Sequence, residues 1–449
     1  MSRVCRGTHG ASLAEYGLVL GLIGLVGIPV AQRMGSEVAI LFSGSADAVS
    51  YASITVEDSL DPEAFVFEVS TDTGAIFPSA GGTIEIDWGD ETANETCTTT
   101  YVIDPNSPLT CNYPEAGTYR IAITGDMTGY GQLYSAAYKT DITRMIQWGN
   151  TGLNNLSYAF YGAEKLTDVP SHLPSGVQDI NGIFAHTGSL NDASISAWDT
   201  SNVTTMAYAF QSSAFNRSLG GWNTSQVTDF HAMFLRATAF DQDLSNWDTS
   251  SVTTMRKMFR DTQFNGDLSD WNTSNVQSLQ GMFRGAGLFN QDISNWDVSS
   301  VTNFYRMFYE SSSFAQDLSG WDTGAGTNFE SMFFEVGSFN SDLSSWDMSS
   351  AVHLFGMFRD ASSFNADISG WNVSGVNNMR SMFEGASSFS ADISGWDVSS
   401  VTNMDSMFLD ASAFSRDLSG WCVGLISSRP ANFSSGSGVT AEPVWGTCP

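Results

Sequence analysis

A tryptophan recurs at nearly constant spacing through the second half of the chain, and this repeat constrains the fold more than any other feature. Ten tryptophans stand 24 or 25 residues apart, at positions 198, 222, 247, 271, 296, 321, 346, 371, 396 and 421. A fixed period of this length is typical of a solenoid, whose units bury their apolar faces only by stacking on their neighbours. We therefore predict one continuous repeat array over residues 198–421.

Each unit places its apolar residues in a fixed pattern, close to W-D/N-x-S-x-V-x-x-M-x-x-M-F, and ends in a Leu/Ile-Ser-x-Trp segment. In one unit Val252, Met255 and Phe259 are spaced as on one face of a short helix. Ser250 precedes them, where a helix N-cap would stand. The Leu/Ile-Ser-x-Trp segment predicts a short extended rung. We predict an α/β solenoid of leucine-rich-repeat-like units with methionine, phenylalanine and tryptophan in the core.

Aspartates form a ladder along the predicted array. They precede Leu or Ile at positions 243, 267, 292, 317, 342, 367, 392 and 417. Stacked carboxylates about 5 Å apart repel by about 1 kcal/mol per neighbour, even in water. Backbone N–H groups, water or Ca²⁺ would offset this, and Asx turns are the favoured explanation. An Asp/Asn ladder after each tryptophan has the same interpretation, as does an asparagine ladder, predicted to be buried, at 216, 265, 290, 340 and 365.

Composition limits the classes of function. The chain carries 18 Lys and Arg against 48 Asp and Glu, a formal charge of −30. This balance argues against a nucleic-acid partner, because nucleic-acid binding depends on neutralising phosphates. The sequence contains no GxSxG, HExxH, Walker or GxGxxG motif, and its five histidines are scattered. We therefore predict a protein that is not an enzyme, with no cofactor and no catalytic metal.

Residues 61–127 differ from the array in consisting of short alternating runs, which predict a small β-sandwich. The turn Trp88-Gly89-Asp90 and the segment Tyr113–Tyr119 resemble the PKD-like modules of bacterial surface proteins. With the segment Ile142–Gly149 and the Met-Phe/Trp repeats, the chain resembles the BspA-type leucine-rich-repeat-like surface proteins over residues 62–449. The resemblance implies a PKD-like module at 61–127, an opening cap with degenerate repeats at 128–197, and a closing cap at 422–449.

The N-terminal region carries a second resemblance. Residues 11–31 are apolar over a length that, as a helix, would span the hydrocarbon core of a bilayer. Gly10, Ala11, Glu15 and Tyr16 resemble the motif of Flp-type (type IVb, tight-adherence) prepilins. The resemblance implies a leader over 1–10 that a prepilin peptidase removes, an apolar pilin-like α-helix over 11–42 that enters the membrane and contacts pilus subunits, and a linker over 43–60. A generic uncleaved anchor or signal peptide is the alternative.

The number and spacing of the cysteines indicate an exported protein. Removal of the leader would discard Cys5 and leave Cys97, Cys111, Cys422 and Cys448. Four cysteines allow three connectivities, of which chain proximity favours Cys97–Cys111 and Cys422–Cys448. Disulfides indicate an oxidising compartment.

These features together predict a surface-exposed or pilus-associated adhesin, on the bacterial cell surface or an extracellular pilus and anchored in the inner membrane before assembly. Its solenoid would offer an extended surface to a protein or glycan ligand. The variable positions after the Met-Phe pair are the candidate binding face: Leu235, Arg236, Arg260, Asp261, Tyr309, Glu310, Phe334 and Glu335. The alternatives are a structural pilin subunit and a plain membrane-anchored surface protein.

Overall fold

The computed structural model describes residues 32–34, 36–38, 60–76, 78–89, 100–102, 109–131 and 141–449. The chain divides into two compact units, Met1–Pro62 and Glu63–Pro449. In the first unit the strands β1 (Gln32–Met34) and β2 (Ser36–Val38) pair antiparallel.

These strands contradict the predicted helix over residues 11–42, at least in its last third. Gly35 separates the two strands in sequence, and glycine is unfavourable in a helix interior. The rest of the predicted helix, with Gly10, Ala11, Glu15 and Tyr16, lies outside the described residues. Among the residues that the structure describes, no helix is both long and apolar enough to cross a membrane.

The second unit begins with one antiparallel sheet. Its strands are β3 (Phe65–Ile76), β4 (Pro78–Asp87), β5 (Thr100–Val102), β6 (Leu109–Tyr130) and β7 (Ile142–Gln147). Their order in the sheet is β5-β4-β6-β3-β7. The predicted β-sandwich is therefore wrong, since these strands form a single sheet.

The apolar face of this sheet packs against the first coil of the solenoid instead of a second sheet. Phe65, Tyr130 and Trp148 are fully or almost fully buried. The ring centroids of Tyr130 and Trp148 lie 6.3 and 6.1 Å from that of Phe160, in the first coil. The backbone of Tyr130 also donates to the carbonyl of Asn155 at 3.1 Å. The first coil thus covers the apolar face of the sheet, as a second sheet would do in a sandwich.

The solenoid is a stack of coils joined by parallel β-bridges, one residue per coil. The bridges link residues 155, 179, 205, 229, 254, 278, 303, 328, 353, 378 and 403 in succession. Inside the stack, like residues pack on like residues. The rings of Phe234 and Phe259 stack with centroids 5.7 Å apart, and those of Trp346 and Trp371 lie 6.3 Å apart. The array and its buried methionine, phenylalanine and tryptophan residues thus follow the sequence period.

The Met-Phe segments are turns, so the predicted helix in each unit is wrong. The amide of Arg306 donates to Glu330 O in the next coil at 3.0 Å, whereas the amide of Met307 donates to Phe304 O at 3.0 Å. Arg306 and Glu310 have φ angles of +55° and +59°, a left-handed conformation that an α-helix does not contain. Every second backbone amide of the segment therefore donates a hydrogen bond to the next coil, and the others donate within their own coil. Within the described residues, the helical structure is the 3₁₀ helix Ala193–Ala197.

The predicted N-cap is part of the same correction. The Ser250 amide donates to the Asp248 carboxylate at 3.0 Å, which makes an Asx turn. No helix follows Ser250, because residues 251–261 are turn and bridge.

The C-terminal end of the stack is closed by a cap. A disulfide joins Cys422 to Cys448, the pairing that chain proximity favours. Arg429 donates to both carboxylate oxygens of Glu442, at 2.8 and 2.7 Å. Cys111 is also disulfide-bonded, whereas Cys97 lies outside the described residues, so their mutual pairing stays a prediction.

Candidate ligand-binding face

The turns around each Met-Phe pair lie at the surface, although small residues at some of these positions are buried, as Ser331 and Ser381 are. We define the Met-Phe face as the two residues before and the two residues after each pair. Around the buried pair at 307–308, residues 305, 306 and 309 are half-buried and residue 310 is exposed. The hydrogen bonds between coils hold equivalent positions in register. For example, the amide of Gly281 donates to Tyr305 O, and that of Gly285 donates to Tyr309 O, both at 2.8 Å.

The structure brings the sequence-predicted residues of this face together in two groups. In the first, Arg236 Nε and Arg260 Nε lie 3.5 and 3.3 Å from Asp261 Oδ2. Leu235 is half-buried in the same coil as Arg236.

The second group is built on aromatic rings. Tyr309 and Phe334 stack with their centroids 4.4 Å apart and their planes 5° from parallel. Glu310 and Glu335 are exposed beside this stack. Burial, followed by the charges of Glu310 and Asp360, raises the pKa of Glu335.

Sequence reasoning missed the positions before the Met-Phe pair, and Arg284 and Arg359 after it. Eight of the ten Lys and Arg residues between positions 198 and 421 lie on the Met-Phe face. They are Arg236, Arg256, Lys257, Arg260, Arg284, Arg306, Arg359 and Arg380. Sorting the basic residues by their position in the repeat would have shown this concentration, which a net charge of −30 hides.

Five of these cations, Arg256, Lys257, Arg260, Arg284 and Arg306, form what we call the basic cluster. Burial lowers the pKa of Lys257, and the charges of Arg256, Arg260 and Arg284 lower it further. In Arg256, Arg284 and Arg306 Nε is buried and has no hydrogen-bond partner in the part of the chain that the structure describes, whereas Arg260 Nε lies 3.3 Å from Asp261 Oδ2. The cluster thus holds several like charges close together.

Tyrosine rings support part of the basic cluster. The guanidinium carbon of Arg284 lies 4.7 Å from the centroid of Tyr309, and that of Arg306 lies 5.2 Å from the same centroid. Arg306 also lies 4.7 Å from the centroid of Tyr305. Such cation–π contacts orient the guanidinium plane while leaving its outer nitrogens free to donate.

Further along the stack, the face neutralises its own charges. Arg359 pairs with Glu384 at 2.9 Å and with Asp360 at 3.3 Å. Its guanidinium also lies 5.2 Å from the ring centroid of Phe334. The two parts of the face therefore differ, since four of the five cluster cations have no ion-pair partner among the described residues, whereas Arg359 is paired within the face.

The aspartate ladder proves to be a row of Asx turns. The amide of Ser294 donates to Asp292 Oδ1 and that of Ser319 to Asp317 Oδ1, each at 2.9 Å. These hydrogen bonds hold the pKa of each carboxyl below its usual range, against a small opposing effect of burial. No group of three or more His, Cys, Asp or Glu residues arranged to hold a metal ion occurs in the described part of the chain.

The asparagine ladder also serves the backbone, although it is not buried as predicted. Asn265 and Asn365 are exposed and Asn290 is half-buried. Asn265 Oδ1 accepts from the amide of Asn290 at 3.0 Å, one coil further on. Each of these bonds uses a backbone amide that a surface turn leaves without a backbone acceptor. The ladder can therefore form at the surface and need not be buried.

Coils of this length, joined by single parallel bridges and filled with Trp, Met and Phe, define the protein as a tandem-repeat solenoid. The family described as "Mycoplasma protein of unknown function, DUF285" matches the chain in three tandem segments, residues 154–263, 242–343 and 327–442. The chain belongs to this family. The match agrees with the BspA-like character of the repeats and begins after the antiparallel sheet. No match was found among curated proteins.

Proposed function

We propose that this protein is a binding protein of the bacterial cell surface that presents the Met-Phe face of its solenoid to a protein or glycan ligand. The observation that carries the proposal is the contrast between faces. At the aspartate ladder and at the Asp/Asn ladder after each tryptophan, side chains make repeated hydrogen bonds, and their identity hardly changes from coil to coil. On the Met-Phe face the backbone makes the bonds between coils, so the side chains are free to differ.

One position illustrates this freedom. The residue two places before Met-Phe is Arg256, Gln280, Tyr305, Glu330 and Phe355 in successive coils. The position after each tryptophan, in contrast, is always Asp or Asn from 199 to 397. Varied side chains on a regular scaffold are typical of the recognition surfaces of solenoids.

A structural role in a tight-adherence filament is the second candidate, and it depends on residues 1–16. Cleavage between Gly10 and Ala11 by a prepilin peptidase would support it. Mass spectrometry of the protein from its native host tests this directly. Ala11 as the first residue supports processing, whereas an intact Met1 contradicts it.

Binding is tested with the full chain on arrays of glycans and host-surface proteins. Glu335→Arg changes an exposed residue of the Met-Phe face, and Asp270→Arg makes the same charge change at an exposed position outside it. Arginine fits the backbone at 335, because Arg236 occupies the equivalent left-handed position. Altered binding by the first variant alone supports the proposal. Equal effects of the two variants on binding contradict the proposal and favour the structural role. Absence of binding to every glycan and host-surface protein on the arrays does the same.

A further inference from the structure

We propose that the basic cluster binds the carboxylate or sulfate groups of an acidic glycan. This inference rests on the proposed function and names the chemical class of its ligand. It concerns one part of the Met-Phe face, the three coils that contribute Arg256, Lys257, Arg260, Arg284 and Arg306.

The cluster has cations without partners. Among the described residues, no carboxylate lies within ion-pair distance of Arg256, Lys257, Arg284 or Arg306, and Arg260 shares Asp261 with Arg236. Burying like charges side by side is unfavourable unless an opposite charge compensates them. Burial, followed by the charges of Arg256, Arg260 and Arg284, lowers the pKa of Lys257. A bound anion would supply the missing compensation.

The guanidinium groups are also arranged in advance. Arg284 and Arg306 come from successive coils and lie over the same Tyr309 ring. The Nε atoms of Arg284 and Arg306 are buried without a hydrogen-bond partner in the described chain, so the terminal nitrogens are the donors that a ligand can reach. A planar guanidinium donates two parallel hydrogen bonds to a carboxylate or sulfate group. Because the stacking on tyrosine already restricts these side chains, less conformational entropy is lost on binding.

The spacing of the cations suits anions carried on a polymer. Successive coils are joined by β-bridges, so equivalent side chains recur about every 4.8 Å along the stack. Three coils thus offer cations over a length of about 10 Å. Anionic groups on neighbouring sugar rings could each meet a different arginine.

The surroundings of the cluster disfavour a nucleic acid. Glu310 is exposed on the same coil as Arg306, Glu335 is exposed on the next coil, and Glu330 lies near Arg306. A nucleic acid carries a charge at every backbone position and would meet these carboxylates at the edge of the cluster. A glycan whose charges are separated by neutral groups avoids much of that repulsion.

A protein ligand fits less well for a different reason. Protein interfaces have an apolar core surrounded by a polar rim. In the described residues the exposed large apolar side chains are Leu288, Leu425 and Val444, and none of them belongs to the Met-Phe face. The aromatic rings of the cluster, Tyr305 and Tyr309, are half-buried and in contact with Arg284 and Arg306, so the cluster offers mainly charge and hydrogen-bond donors.

The test measures binding of the full chain to heparin and hyaluronate oligosaccharides, with neutral dextran, duplex DNA and polyglutamate as comparison probes. The variant Arg284→Gln/Arg306→Gln removes two cluster charges and keeps most of each side chain. The matched control Arg217→Gln/Arg416→Gln makes the same charge change away from the Met-Phe face. Circular dichroism establishes that both variants are folded.

We expect at least one acidic oligosaccharide to bind, and the cluster variant to bind it about tenfold or more weakly than the control variant does. Equal weakening in the two variants would overturn the inference, as would tighter binding of DNA or polyglutamate. Absence of acidic-glycan binding would also overturn it. If ligands from the glycan and host-protein arrays still bind, and their affinity is unchanged in Arg284→Gln/Arg306→Gln, the proposed function stands while this inference fails.

Discussion

The indole nitrogen of Trp321 donates a hydrogen bond of 3.1 Å to the carbonyl oxygen of Ile293, 28 residues earlier in the chain. Equivalent bonds join Trp346 to Leu318 at 3.0 Å and continue along the array. Because the Trp321 side chain is only 2% exposed, water cannot serve its N–H group, and an unmade bond would cost free energy. Each repeated tryptophan therefore contributes both a hydrogen bond between coils and a large side chain to the core.

Replacing Trp321 by phenylalanine should destabilise the array. The substitution leaves Ile293 O without its donor and opens a cavity between two coils. We expect the free energy of unfolding to fall by about 2–4 kcal/mol. Denaturant-induced unfolding measures the change. Leu288→Ala, at a side chain that is 53% exposed, is the control and should change stability by no more than about 0.5 kcal/mol. Similar losses in both variants would contradict the role of the indole bond.

Stability should fall in acid because of the Asx turns. Hydrogen bonds from serine hold the pKa of the ladder carboxyls below the usual range, as at Asp243, Asp292 and Asp317. A carboxyl whose pKa is lowered on folding adds stability above its unfolded pKa of about 4, and this stability is lost as pH falls through the folded pKa. The loss of stability caused by these carboxyls should therefore be confined to pH values below about 4, where the thermal unfolding temperature should shift down.

Two comparisons test the cause of this acid dependence. Asparagine at 292 and 317 keeps the acceptor oxygen without the titration, so the double variant should lose less stability in acid than the unchanged protein. EDTA or added Ca²⁺ should leave the neutral-pH unfolding temperature unchanged, because the amides of Ser294 and Ser319 already donate to these carboxylates. A clear rise with Ca²⁺ would show that the ladder binds the ion.

Glu310 stands in a left-handed conformation that tolerates glycine and rejects β-branched residues. Its φ is +59°, and the equivalent residues one coil before and three coils after are Gly285 and Gly385. Glu310→Gly should leave stability unchanged or raise it by up to about 1 kcal/mol, whereas Glu310→Val should lower it by about 1–2 kcal/mol. Denaturant-induced unfolding of the two variants measures the difference. The reverse order would show that the turn geometry does not limit this position.

The Cys422–Cys448 disulfide should stabilise the C-terminal cap. It closes a sequence separation of 26 residues, for which the expected contribution is about 3 kcal/mol. In Cys448→Ser we expect proteolysis to begin within the cap while the central coils stay protected. Val444→Ala, at a side chain that is 67% exposed in the same cap, is the control and should be cut as slowly as the unchanged protein. Equal cleavage of Cys448→Ser and the control would contradict the prediction.

Local patterns predicted part of this structure well. The period of 24 or 25 residues identified the stack, and the repulsion expected within a ladder of stacked aspartates indicated the Asx turns. Val252, Met255 and Phe259 were correctly expected in the core, yet their spacing suits both a helix and a run of turns. The choice between them depends on bonds such as that from the Lys257 amide to Gln280 O, which join different coils. No local pattern encodes such a bond.

Which residues repeat, which are apolar and where the chain turns can be read from the amino-acid sequence, because these properties depend on neighbours within a few positions. The folded structure was needed to show that the β-rich segment forms one sheet, since the apolar face of that sheet is covered by Phe160 of the first coil. It also decided that Arg284 and Arg306, 22 positions apart in sequence, share the ring of Tyr309. The physical reason is that packing and hydrogen bonding between coils act over distances in sequence at which the local pattern carries no information.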